Sequence, residues 1–154
     1  MTDVRIRTAT MRDLGPVLRL LAVMHDEEIE PQWGCAEEDL FQSILSDVDR
    51  RLLVAVDDGR VVGTADVKVV RNLSRDSRPW AIIENLSVDP EFRRRGWGGA
   101  LVKRCINFAD ESGCYKVQLI SNDRRSEAHS LYEDLGFTEP VRGFRMYLAE
   151  DLRH

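Results

Sequence analysis

Residues 88–101, with the sequence VDPEFRRRGWGGAL, combine positive charge and backbone freedom at one point of the chain. Three arginines run into a glycine-rich stretch, and apolar residues follow: Arg93, Arg94, Arg95, Gly96, Trp97, Gly98 and Gly99. The first turn of a helix offers unpaired backbone N–H groups and the positive end of the helix dipole. Glycine lets the backbone approach a large anion closely. The stretch therefore predicts a phosphate site at a helix start, and the alternative is an exposed turn whose arginines are solvated.

Such a site needs a strand that leads into it and a helix that leaves it. The apolar run 80–88 predicts the strand, and apolar residues recurring between Gly96 and Ser112 predict the helix, which Gly113 ends. Glu84 lies mid-strand between apolar neighbours, so we expect partial burial, which makes a carboxylate a stronger base.

The other elements follow from hydrophobic periodicity. The pattern predicts strands over 3–8, 51–56, 61–70, 114–120 and 143–149, and helices over 11–26, 37–48 and 126–137. Thr10 with Asp13 resembles a capping box, and Asp58-Gly59 between two apolar runs predicts a hairpin. The order of elements indicates a mixed α/β fold.

Length and composition limit the function classes. The chain has 154 residues, of which 43% are hydrophobic, so we expect one domain over residues 1–154 with an ordinary core. The net charge of −5 argues against a nucleic-acid partner. No apolar leader or membrane-length run is present, and three cysteines without C-x-x-C spacing suit a reducing compartment. We therefore expect a cytoplasmic protein with no membrane partner and no metal.

Two motifs carry a resemblance to a known family. The nucleotide-binding patterns G-x-x-x-x-G-K-[ST] and G-x-G-x-x-G are absent. Arg93-x-x-Gly96-x-Gly98 after a strand resembles the pyrophosphate loop of the GCN5-related N-acetyltransferases, the GNAT family. Ala128, Tyr132 and Gly136-Phe137 match that family's A-x-x-x-Y-x-x-x-G-F ending. The opening IRTATMRDLGPVLRLL also looks like the family's usual start, so the resemblance covers nearly the whole chain.

The resemblance implies a fold and a cofactor. The GNAT fold is a central, mostly antiparallel, twisted sheet of about seven strands, opened into a V after the fourth strand and flanked by four helices. Acetyl-CoA, as co-substrate, would lie in the V and pair with the backbone of the fourth strand. Its pyrophosphate would meet the N–H groups of residues 94–99. The implied cofactor-binding residues outside the loop are Leu86, Ser87, Val88, Asn122 and Arg125, where Arg125 departs from the family's usual Asn.

The resemblance also implies a reaction, in which a primary amine attacks the thioester directly in a ternary complex. Glu84 is the candidate general base, directly or through water, and Tyr132 the candidate acid for the thiolate. A backbone N–H near 86–88 would stabilise the oxyanion. The alternatives are a Glu84 that only forms hydrogen bonds and a Tyr132 that only packs in the core.

The acceptor stays open at this point, between a small-molecule amine and a peptide amine. Asp26, Glu27, Glu28 and Glu30 favour a cationic amine, whereas Arg71, Arg75 and Arg78 favour an anionic one. The stretch GCYKV is similar to glucosamine-6-phosphate N-acetyltransferases, and SNDRRSEAHSLY to aminoalkylphosphonate acetyltransferases. A non-catalytic acyl-CoA-binding module is the alternative to an enzyme, and a homodimer is left open.

Overall fold

The computed structural model describes residues 5–121 and 126–152, which fall into two compact units, Met1–Leu119 and Ile120–His154. The first unit contains five strands and three main helices: β1 (Arg5–Thr8), α1 (Leu14–Met24), α2 (Cys35–Ser46), β2 (Arg50–Asp57), β3 (Arg60–Val70), β4 (Trp80–Val88), α3 (Trp97–Glu111) and β5 (Val117–Leu119). Short 3-10 turns, Met11–Asp13 and Pro90–Phe92, precede α1 and α3. One further helical turn, Ser74–Ser77, lies between β3 and β4.

The five strands form one sheet in the order β1-β2-β3-β4-β5. The first three pairings are antiparallel, and β4 pairs with β5 in parallel. The hairpin between β2 and β3 turns at Asp58 and Gly59, whose φ values of 46° and 78° are both left-handed. Asp-Gly supplies this conformation at low cost, so the predicted hairpin is confirmed.

Helices cover both faces of the sheet. On one face, α1 and α2 pack against β2 in a cluster of buried side chains that includes Leu14, Val17, Phe41, Leu52 and Val54. On the other face, α3 comes so close to β3 that a Cβ on Gly63 would lie 3.0 Å from Leu101 Cδ1. Helix α3 buries an apolar stripe against this face: Trp97, Leu101, Val102, Cys105 and Ala109. The sheet is therefore the central layer of the first unit.

The second unit contains helix α4 (Ser126–Asp134) and a 3-10 turn, Glu150–Leu152. Gly136, with φ 100°, follows the end of α4 as predicted, and the N–H of Phe137 donates to Tyr132 O at 3.0 Å. The Tyr132 and Phe137 rings meet edge to face, with centroids 6.0 Å apart.

Two strand predictions need correction. Residues 143–149 are mostly apolar and aromatic but form no strand in the part of the chain that the structure describes. Phe144 and Met146 are exposed there. A short run of apolar residues is compatible with a strand, but a strand also needs a pairing partner. The expected number of about seven strands is accordingly too high for the described residues, which contain five, while the mixed α/β class and mostly antiparallel sheet are confirmed.

Candidate active site

The pairing between β4 and β5 ends halfway along β4. Among the described residues, β5 pairs only with Ala81–Ile83, in register with residues 117–119. Strand β4 continues to Val88 and stays paired with β3 up to that residue. Its second half, residues 84–88, therefore offers backbone groups on the side that β5 leaves.

A bulge lies where this open half begins. The register between β3 and β4 shifts between Thr64, which pairs with Ser87, and Asp66, which pairs with Glu84. Strand β4 thus carries one extra residue opposite Ala65. Asn85 takes up the irregularity with a left-handed φ of 54°, a conformation that Asn tolerates better than most residues.

The bulge decides which backbone groups face the open side. The N–H of Asp89 donates to Val62 O at 2.8 Å and so points towards β3. Because backbone direction alternates along a strand, Ser87 also faces β3, whereas Leu86 and Val88 face away from it. Val88 O indeed accepts a hydrogen bond from Arg93 Nε at 3.2 Å. Leu86 and Val88, but not Ser87, can therefore pair with an added chain along this edge.

Ser87 serves the fold in another way. Its hydroxyl is buried and donates to Leu20 O in α1 at 2.8 Å. Its side chain and its backbone thus both have partners within the first unit, and we do not assign it a polar contact with a ligand.

Glu84 precedes the bulge and is exposed, so the partial burial expected for it is wrong. Glu84 pairs in register with Asp66, and Asp66 pairs in turn with Leu52. Because directly paired residues point to the same face of a sheet, the Glu84 side chain lies on the face that α1 and α2 cover. Asp66 is 4% exposed and is held by the Arg50 guanidinium through both carboxylate oxygens. The carboxylate of Asp66 is thus bound by Arg50, while no hydrogen bond or ion pair from the described residues engages the carboxylate of Glu84.

The loop after β4 begins with a tight turn. Asp89 Oδ1 accepts from the N–H of Glu91 at 3.0 Å and caps the turn Pro90–Phe92. The chain then passes through two left-handed residues, Arg94 with φ 62° and Gly96 with φ 86°. At Gly96 this conformation favours glycine, and the residue is the N-cap of α3.

The start of α3 has neither a capping side chain nor an acidic residue in its first turn. Ala100 N–H donates to Gly96 O at 3.0 Å, which is the first bond of the helix. The N–H groups before Ala100 have no carbonyl one turn earlier to accept from them. The side chains of Arg93, Arg94 and Arg95 are exposed next to them. Unpaired N–H groups, the positive dipole end and these cations together favour the binding of an anion at this helix start.

A cleft of about 700 Å³ lies on the side of α1. Its walls are α1, residues 27–31, the β2–β3 turn and Asp89 and Pro90, which follow β4. Charges of both signs line it, with Glu27, Glu28 and Glu30 among the acids and Arg12 and Arg19 among the bases. The acidic segment therefore does not form a uniformly negative wall.

The family model for the GNAT acetyltransferases matches residues 18–137. The chain belongs to the GNAT family. The match includes the uncapped helix start, the bulged strand and α4, and members of this family use acetyl-CoA. The protein is an acyl-CoA-dependent acetyltransferase.

Relatives with assigned activities agree with this membership. The chain is 30% identical over 154 residues to a glucosamine 6-phosphate N-acetyltransferase of Trypanosoma brucei brucei, covering 96% of this chain and 98% of the relative. It is 28% identical over 147 residues to an aminoglycoside N(6')-acetyltransferase type 1 of Stenotrophomonas maltophilia, covering 93% of each chain. Among solved structures, a putative acetyltransferase of Agrobacterium tumefaciens superposes with a TM-score of 0.85 at 32% identity, covering 93% of this chain and 99% of that one. These relatives favour the enzyme over a non-catalytic acyl-CoA-binding module.

Three of the predicted site residues follow β5 in the chain: Asn122, Arg125 and Tyr132. Tyr132 lies on α4 in the second unit, in ring contact with Phe137. Asn122 and Arg125 lie outside the described residues.

Two residues at the GNAT site were not predicted from the sequence. Asn85 marks the bulge, and its residue type was the available signal, since Asn is enriched at left-handed positions. Arg60 Nη2 donates to Asp89 Oδ2 at 2.7 Å across 29 residues of sequence. No local sequence pattern indicates a contact between residues so far apart in the chain.

The described residues contain neither a cluster of metal-ligating side chains nor a membrane-spanning helix. No group of three or more His, Cys, Asp or Glu in them could hold a metal ion. None of the described helices is long and apolar enough to cross a membrane. The three cysteines are free, and burial raises the pKa of Cys105 to about 12, so this thiol is inert at neutral pH.

Proposed function

We propose that this enzyme transfers the acetyl group of acetyl-CoA to a primary amine by direct attack in a ternary complex. One observation carries the proposal: strand β4 and the loop after it present, in chain order, the Glu84 carboxylate, a bulge, an open backbone edge and an uncapped helix start. These are the parts that the reaction needs, arranged along residues 84–99.

The open edge and the helix start suit the two ends of the coenzyme. The pantetheine amides would pair with the outward backbone groups of Leu86 and Val88, as an added strand does. The pyrophosphate would accept hydrogen bonds from the N–H groups at the start of α3, with Arg93 to Arg95 offsetting its charge. Asn122 and Arg125 are further proposed contacts, on the resemblance alone.

The chemistry then follows from where the thioester would lie. The amine nitrogen attacks the thioester carbonyl carbon, and its proton passes to Glu84, directly or through water. The N–H that follows the bulge, on Leu86, is turned towards the open edge and suits the developing oxyanion. As the carbon–sulfur bond breaks, the thiolate takes a proton, for which we propose Tyr132 as donor. The exposure of Glu84 to solvent favours proton transfer through water.

The acceptor is a primary amine whose other groups we do not specify. The named relatives act on glucosamine 6-phosphate and on aminoglycosides. The cleft beside α1 carries charges of both signs, and neither Glu84 nor Leu86 lines it, so it does not decide between an anionic and a cationic amine. We place the reaction in the cytoplasm, on the cysteine pattern.

An amine panel tests the reaction. Incubation with acetyl-CoA and a panel that includes glucosamine 6-phosphate, an aminoglycoside, a polyamine and a peptide should release free thiol with at least one amine. Release with none of them, over a no-amine background, would contradict the proposal.

Two substitutions test the proposed roles on the best acceptor of that panel. Glu84→Gln should lower turnover by ~10²–10⁴ and regain part of it at high pH, where more of the amine is already deprotonated. Tyr132→Phe should lower turnover without that recovery. Glu111→Gln, an exposed glutamate at the end of α3, is the matched control. Full activity of Glu84→Gln at every pH would mean that the base lies elsewhere.

A further inference from the structure

Arg60, the first residue of β3, reaches from the hairpin to the start of the loop after β4. Its guanidinium donates to Asp89 Oδ2 at 2.7 Å and lies 3.6 Å from Glu91 Oε2. The same group lies over the Phe92 ring, with Cζ 5.1 Å from the centroid. One side chain thus contacts three of the four residues that begin the loop.

The partners of Arg60 are the residues that shape this loop. Asp89 caps the turn Pro90–Phe92 through its other carboxylate oxygen. The Phe92 ring also receives Arg95, whose Cζ lies 5.1 Å from its centroid. Phe92 therefore connects the hairpin arginine to an arginine of the proposed phosphate site, and both contacts are of the cation–π kind.

We propose that Arg60 is a positioning residue for acyl-CoA binding, an inference that rests on the proposed function. It holds the turn Pro90–Phe92 against the hairpin and so presets the left-handed path through Arg94 and Gly96 to the start of α3. A loop that is ordered beforehand loses less conformational entropy when the ligand binds. Arg60 also offsets the carboxylates of Asp89 and Glu91, which would otherwise repel phosphate at this end of the strand.

The variants separate the two contributions of Arg60. Arg60→Ala removes the ion pairs and the ring contact, and Arg60→Lys keeps a charge for Asp89 but loses the planar group that stacks on Phe92. Phe92→Leu removes the ring and leaves the ion pair. Arg51→Ala is the matched control, because Arg51 makes the same kind of contact, 5.0 Å from the Phe108 centroid, at the other end of α3.

The experiment measures the Kd of CoA by calorimetry and the KM for acetyl-CoA. Arg60→Ala should raise both by about three- to tenfold, Arg60→Lys and Phe92→Leu should raise them less, and kcat should stay within twofold of wild type. Arg51→Ala should leave the Kd unchanged while shifting Tm about as much as Arg60→Ala does. The inference is overturned if Arg60→Ala and Phe92→Leu bind CoA like the wild type, or if Arg51→Ala weakens CoA as much as they do.

The outcomes also separate this inference from the proposed function. A wild type that binds no CoA contradicts the cofactor site itself. A wild type that binds CoA but releases no thiol with any amine contradicts the proposed reaction and leaves the role of Arg60 decided by the binding data alone. Should Arg60→Ala fail to fold, Arg60→Lys and Phe92→Leu still decide the matter.

Discussion

The N-termini of α1 and α3 both have unpaired N–H groups and the positive end of a helix dipole, but their surroundings have opposite charge. Before α1, the carboxylate of Asp13 accepts from Thr10 N–H at 2.7 Å and from both terminal nitrogens of Arg7, at 2.7 and 3.0 Å. The chain itself thus supplies the negative charge that a helix start attracts. The first turn of α3 contains no such carboxylate and its N-cap has no capping side chain, while three arginines next to it add to the positive charge. A helix start that the chain leaves uncapped and surrounds with cations is suited to an anion from outside.

Helix α2 allows a closer comparison with α3, because the N-cap residue of both helices is a glycine. Glu37, three residues after Gly34, accepts from Gly34 N–H at 2.8 Å. The residue three after Gly96 is Gly99. The two glycine-capped helices therefore differ at one decisive position, where α2 has a carboxylate and α3 has only a hydrogen atom.

The largest expected effect is on CoA affinity, when α3 is given a carboxylate at the position where α2 has Glu37. Gly99→Glu should place an acid where it can reach the Gly96 N–H, compete with phosphate for the helix start and repel it. We expect CoA affinity to fall at least 100-fold, which corresponds to about 2.7 kcal/mol. Helix propensity should meanwhile favour the variant by about 0.8 kcal/mol in folding.

Gly99→Gln is the control for size, since it adds the same bulk without the charge. Calorimetry with CoA should show a much smaller loss for Gln than for Glu. Equal losses would mean that bulk rather than charge decides, and no loss in either variant would show that this helix start does not hold the anion.

The second largest effect is expected on folding stability, at the start of α1. Asp13→Asn should lower the free energy of unfolding by about 2 kcal/mol, because a buried site loses its charge while Arg7 keeps its own. CoA affinity should stay within twofold. Denaturant unfolding checks the first value and calorimetry the second, and a variant as stable as the wild type would contradict the role given to Asp13.

The same variant should show a characteristic pH dependence. Burial acts to raise the pKa of Asp13, but hydrogen bonds from Arg7 and from Thr10 N–H outweigh it and hold this pKa below its usual range. A carboxyl with a lowered pKa stabilises the fold above its unfolded-state value, about 3.9, and loses that contribution as the pH falls through the folded-state value. The difference between wild type and Asp13→Asn should therefore be constant near neutral pH and shrink below about pH 4. A difference that grows in acid would contradict this sign.

The smallest effect is expected at α2. The hydrogen bond from Gly34 N–H holds the pKa of Glu37 below its usual value, but the side chain is exposed and the helix start is solvated. Glu37→Gln keeps an acceptor for Gly34 N–H and should lower Tm only slightly, with no change in CoA binding. A loss of CoA affinity here would show that the comparison between the helix starts is unspecific.

Local patterns were enough to predict the starts of α1 and α3, but not the glycine N-cap of α2. Thr10 and Asp13 are three residues apart, and the glycines of α3 are adjacent to its arginines, so the sequence shows both arrangements directly. The strands that flank the Asp58-Gly59 turn were predictable for the same reason.

Features that depend on pairing between distant segments were not predictable. The bulge at Asn85 arises from the register between β3 and β4, and the Arg60–Asp89 contact joins residues that are 29 apart. The exposure of Glu84 depends on which elements cover the second half of β4, which its apolar neighbours in sequence do not reveal. Residues 143–149 show the converse error, since their apolar composition predicted a strand without indicating which segment would pair with it.

The measurement closest to the central claim compares two ligands on the wild-type protein by calorimetry. Acetyl-CoA carries the pyrophosphate that the start of α3 would hold, whereas S-acetylpantetheine carries the thioester and the amides without any phosphate. We predict that acetyl-CoA binds at least 100-fold more tightly, with an affinity that falls as salt is added. Equal affinity for the two ligands, or no heat with acetyl-CoA at millimolar concentration, would contradict the assignment of the Gly96 helix start as the coenzyme's phosphate site.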